Sequence, residues 1–171
     1  MNDVLQKFNL FGRIRRNHAL EHATINILRR KGMRGAIGGM SGPNGFWLIG
    51  KVDPTTLQEA SEEALARLRN GEKHLAIQQQ CGTNYVVPGV LAGLAAWLVM
   101  IFPGKHDWKD RWERLPVVMM MVTLVTILAK PLGPLVQEKL ATDPNPGKMR
   151  ITGIMLYHRY GHFLQHIIVK Q

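Results

Sequence analysis

Hydrophobic positions along the chain change their rhythm from segment to segment. From Asn17 to Lys31 the apolar residues Leu20, Ala23 and Ile27 recur at intervals of three and four, the spacing of one helix face. Asn17 is a candidate cap for that helix, and Gly32 can end it. The rhythm then shortens. Met33–Met40 and Phe46–Val52 flank Asn44-Gly45, which predicts two strands joined by a tight hairpin. Helical spacing returns at Leu57, Ala60, Ala64, Leu65 and Leu68, opened by Asp53-Pro54 and closed by Gly71. Thr56 and Glu59 read as a capping box. Residues 72–80 predict a short strand centred on His74–Ile77. After Asp143–Gly147, a turn-rich break, β-branched and aromatic residues from Met149 onward favour strands that return to the amino-terminal sheet.

Two stretches have no polar rhythm at all. Val86–Phe102 is apolar and uncharged, and a second run extends from Leu115 to Ala129. Each is near the length that crosses a bilayer as a helix. Pro103-Gly104 breaks the first, and Trp108 and Trp112 in the connector suit the interfacial aromatic belt. Gly89 and Gly93 offer a small-residue face for close helix packing, with a protein partner or a second copy as the expected occupant. Residues 1–12 are mildly amphipathic through Leu5, Phe8, Leu10 and Phe11 and suit a membrane surface.

The expected fold is therefore α+β and membrane-anchored. A small α-β-β-α-β domain occupies residues 1–84, a two-helix transmembrane hairpin 85–136, and a tail of strands 137–171. Charge gives the orientation. The net charge is +10. Residues 1–84 carry 12 Lys/Arg against 7 Asp/Glu (+5), residues 104–114 carry 4 against 3 (+1), and the segment from Lys130 carries 6 against 2 (+4). The excess lies on both terminal segments, which predicts that both termini face the cytoplasm of a bacterial inner membrane. The basic residues follow this membrane rule and no recognition motif accompanies them, so nucleic acid is not an expected partner. The lipid bilayer is. The amino-terminal stretch lacks the shape of a signal peptide, and a single cysteine leaves no internal disulfide.

The candidate chemistry lies on the first helix. His18-Ala19-Leu20-Glu21-His22 is an H-x-x-E-H pattern. Histidines four apart share a helix face and can meet one divalent metal, with Glu21 beside them to take a proton from water. Zinc needs a third protein ligand. Cys81, in the polar turn Cys81-Gly82-Thr83-Asn84, is preferred, and His74 comes next. A closed set of four ligands would be structural rather than catalytic. His158, His162 and His166 recur every four residues. In a helix they would form a stripe able to bind metal or a tetrapyrrole; in strands the stripe breaks at His158.

The two motifs Asn17–Thr24 and Cys81–Asn84, followed by two apolar spans, resemble an uncharacterised bacterial membrane-protein family associated with cyanobacteria and Chloroflexi-type bacteria. That resemblance covers residues 14–155 and implies no activity. Separately, H-x-x-E-H is similar to the inverzincin metallopeptidases. This second resemblance covers five residues. It implies His18 and His22 as ligands and Glu21 as the base. The inverzincin third ligand, a glutamate from a distant helix, has no counterpart here, since Glu59, Glu62 and Glu63 come too early. Two functions are thus expected: a membrane-bound zinc hydrolase, foremost a peptidase acting at the membrane surface, or a non-enzymatic accessory or assembly subunit of a bacterial membrane complex, a photosynthetic one included. The substrate-binding residues are not legible.

Overall fold

The computed structural model describes the backbone of residues 2–101, 107–159 and 162–171, and the side chains of these except 2–9, 158, 159, 162 and 163. The Pro103-Gly104 break, the turn at the tip of the tail, the amphipathic role of Leu5 and Phe8, and the side chains of His158 and His162 lie outside the described residues. The elements run α1 (Asn2–Arg30), β1 (Gly38–Gly42), β2 (Gly45–Ile49), α2 (Pro54–Arg69), a 3-10 turn (Lys73–Ala76), α3 (Thr83–Ile101), α4 (Trp108–Ala129), α5 (Leu132–Val136), a π-helical turn (Gln137–Ala141), β3 (Arg150–Arg159) and β4 (His162–Lys170). The chain divides into two compact units, residues 1–78 with 138–171 and residues 79–137.

The first unit is a four-stranded antiparallel sheet in the order β1-β2-β4-β3, with α1 and α2 on one face. The tail strand β4 pairs with β2, aligning Phe46 with Ile167 and Leu48 with Gln165. The β1–β2 hairpin forms as expected, but its two turn residues are Pro43 and Asn44, one position earlier than Asn44-Gly45, with Gly42 opposite Gly45 as the closing pair. Gly45 has a φ of 140°, and a Cβ there would run into the Ile167 carbonyl of β4. Only glycine permits both that conformation and that approach. Alternation then sends Phe46, Leu48, Ile167 and Val169 inward. There they join Leu20, Ala23, Ile27, Leu57, Ala60, Ala64 and Leu68 in one core.

Helix α2 forms as its ends dictate. Asp53 accepts from the Thr56 backbone N–H at 3.0 Å, and Pro54 occupies the first helical position. Hydroxyl and backbone hydrogen bonds, that of the Thr55 hydroxyl foremost, hold the Asp53 carboxyl below its usual range.

Two expectations are corrected. Helix α1 does not start at Asn17 but runs unbroken from Asn2. Asn17 is fully buried and its amide donates to the Gly42 carbonyl at 2.6 Å, so a tertiary partner uses the group that would otherwise cap. The predicted strand over 72–80 is absent among the described residues; the fifth element of the domain is the 3-10 turn. Leu75 and Ala76 are buried against α1 there, and Asn26 donates to the carbonyls of Leu75 (2.9 Å) and Ile77 (3.1 Å). Those carbonyls are thus satisfied by a side chain, where a strand would need a neighbouring ladder.

The second unit holds α3 and α4, each long and apolar enough to cross a membrane, and α5. Helix α4 begins at Trp108, so both connector tryptophans sit on its first turns and Pro116 lies inside it. Gly133 of α5 packs on the first turn of α3, where a Cβ would lie 2.7 Å from the Asn84 Cα.

Candidate metal site on helix α1

Nearly every residue of α1 from Asn17 to Leu28 is buried, which places several polar side chains out of water. Each needs a partner. The i, i+4 spacing stacks His18 under His22, with ring centroids 4.2 Å apart and an interplanar angle of 60°. Their ligating nitrogens lie within 4.8 Å of one another. Two imidazole nitrogens on a tetrahedral zinc stand about 3.4 Å apart, which that bound allows.

The second ring nitrogen of each histidine is also set. His22 Nδ1 lies 2.7 Å from the Ala76 carbonyl oxygen, and His18 Nδ1 lies 3.0 Å from the Ala141 carbonyl oxygen. A carbonyl only accepts, so both neutral rings carry their proton on Nδ1 and their lone pair on Nε2. That is how metal-binding histidines are usually held, by a carbonyl or carboxylate behind the ring.

Glu21 is 4% exposed. Its carboxylate turns to β1, where the Ser41 hydroxyl donates to it at 2.5 Å. Gly39 makes room for it, since a Cβ on Gly39 would overlap the carboxylate. The glycine-rich first strand thus admits a buried acid from α1.

The remaining candidates are placed as follows. His74 is exposed on the 3-10 turn. Cys81 belongs to the second unit and donates to the Thr83 hydroxyl at 3.5 Å. Thr83 opens α3, and the Asn84 side chain donates to the Gln79 carbonyl at 2.8 Å. Glu63 of α2 pairs with Lys31 (3.1 Å) and Arg67 (2.8 Å). The Lys31 hydrogen bond, first among several causes, holds its carboxyl below the usual range. His158 and His162 stand on strands, opposite Phe163 and Arg159. His166 stacks on Trp47 at 4.2 Å with the rings 8° apart, and burial lowers its pKa. Sequence reasoning missed Ser41, Gly39 and the carbonyls of Ala76 and Ala141. Glycines at 35, 38 and 39 permit close approach to this strand, but do not say by what.

The signature of a family described as a domain of unknown function, DUF6391, matches residues 13–154. The chain belongs to the DUF6391 family. The match takes in H-x-x-E-H, Cys81–Asn84 and both apolar helices. Among curated proteins, an uncharacterized protein of the cyanobacterium Picosynechococcus sp. is 43% identical over 99 residues, which are 50% of this chain and 48% of that protein. This DUF6391 chain therefore spans about half the length of the relative it matches. No solved structure matches it.

Proposed function

We propose that this chain is a membrane-anchored metal-dependent hydrolase in which His18 and His22 hold a zinc ion, Cys81 completes the ligand set and Glu21 serves as the base. Peptide bonds presented at the membrane surface are the proposed substrate. The observation that carries the reading is the pair of carbonyls facing the two Nδ1 atoms, the arrangement that usually stands behind histidines ligating a metal through Nε2. The donor set also fits, since neutral imidazoles and a thiolate are ligands zinc prefers. Cys81 is supported by the chain path. Leu75–Ile77 is fastened to α1 by His22 and Asn26, and the five-residue step from Ala76 to Cys81 spans at most about 17 Å.

A zinc ion bound there would supply Lewis acidity. The chain's own part is then clear. Ser41 holds the Glu21 carboxylate against β1, and on release from that contact Glu21 would take the proton from the attacking water and pass it to the leaving nitrogen. The two apolar helices and the basic terminal segments support anchoring in a bacterial inner membrane with both termini in the cytoplasm.

Elemental analysis of the detergent-purified chain tests the site. About one zinc per chain is expected in wild type, with loss in His18→Ala, His22→Ala and Cys81→Ala. Glu21→Gln should keep the metal and abolish hydrolysis. Wild type without metal above background, purified free of chelators, sinks the reading. A second reading, an accessory subunit of a membrane complex, is favoured by one observation: a Cβ at Gly89 or Gly93 of α3 meets nothing within 4 Å. It predicts no stoichiometric metal and co-purification with larger partners.

A further inference from the structure

The outer face of the sheet is as apolar as its inner face. Alternation that buries Phe46, Leu48, Ile167 and Val169 turns Met40, Trp47, Ile49, Met155, Tyr157 and His166 away from the helices. Met40 is 65% exposed, Met155 49% and Tyr157 47%. At their centre Trp47 stacks on His166 and tilts against Tyr157 at 5.3 Å. A soluble sheet places polar residues on such a face, and a contiguous apolar patch marks a contact surface.

Charge selects the occupant. None of the four strands contains an Asp or Glu. Arg150 and Lys170, both exposed, stand directly opposite each other at the edge of this face. Like charges across a strand pair destabilise it unless an anion lies over them. A second copy of the same face would bring only more cations. Nucleic acid would gain nothing from Met40, Ile49 and Met155. Trp and Tyr beside aliphatic side chains, rimmed by cations, match the boundary between lipid phosphates and acyl chains.

We propose that the outer face of the sheet seats on an anionic bilayer surface, with Trp47 and Tyr157 at headgroup depth and Arg150 and Lys170 on lipid phosphates. This rests on the membrane reading above. The test uses the full chain in nanodiscs of phosphatidylcholine alone or with a quarter phosphatidylglycerol. Methionine oxidation by peroxide, read by mass spectrometry, reports Met40 and Met155 in the unsubstituted chain. A variant with Trp97, Trp108 and Trp112 changed to Phe reports Trp47 through quenching by brominated lipid and by aqueous iodide. In discs with phosphatidylglycerol, oxidation at both methionines should slow at least tenfold relative to detergent. Brominated lipid should quench Trp47 by half or more, and iodide should not. Arg150→Glu with Lys170→Glu should restore oxidation. Equal protection in both disc types overturns the anionic assignment. Oxidation as fast as in detergent overturns lipid contact, as does a Trp47 shielded from both quenchers, which would mean a protein covers the face. A chain that elutes apart from the discs ends the anchoring reading and this one together; a co-eluting chain with unprotected methionines ends this one alone.

Discussion

Glu21 is held by two residues of β1 that differ in what they contribute. Ser41 gives a hydrogen bond and Gly39 gives space. Ser41→Ala leaves a buried carboxylate short of a donor and should cost about 1–3 kcal/mol. Gly39→Ala forces the carboxylate aside and should cost a similar 1–3 kcal/mol by overpacking. Urea unfolding of each variant measures both losses, and either one unchanged from wild type would refute this account of Glu21. The histidine pair was legible because i, i+4 spacing is a local property. The carbonyls of Ala76 and Ala141 were not, because any residue type can present a carbonyl and only the tertiary fold says which ones arrive. His166 makes a separate prediction. Its pKa lies below the ordinary 6.5 because burial penalises the charged ring. The folded chain therefore resists protonation more than the unfolded one, so its contribution is full above pH 6.5 and is lost as pH falls towards the lowered value. Thermal unfolding from pH 7.5 to 5 should show this loss, and His166→Phe should flatten it.

Among the elements, those bounded by strong punctuation were readable. Asp53-Pro54 and Gly71 bracket α2, and Pro43-Asn44 between Gly42 and Gly45 makes the hairpin turn. Elements fixed by long-range partners were not. The segment around His74 has strand-like composition, but Asn26 captures its carbonyls and it tightens into a 3-10 turn. Helix α1 misled for a related reason, since from Asn17 to Leu28 it is buried on nearly every side rather than along one stripe. Gly45→Ala tests how far the hairpin depends on its turn. A side chain there meets both an unfavourable φ and the Ile167 carbonyl, so the loss should exceed about 1 kcal/mol. Circular dichroism during denaturant unfolding would register it. In the second unit, Gly133→Ala should loosen α5 from the first turn of α3. Amide exchange at Asn84 and Tyr85 should then rise.

At the scale of the molecule, the strands that complete the sheet come from both sides of the apolar pair α3 and α4. The second unit is an insertion into the first. The sheet's β2 must wait for β4, because Phe46 and Leu48 face Ile167 and Gln165. On a ribosome adding 5–20 residues per second, that wait is on the order of ten seconds. Throughout it, the nascent chain displays half a core with no lid. A chain arrested within α4 cannot recruit its missing strand, and its bare β2 edge invites proteases, chaperones or the β4 of another molecule.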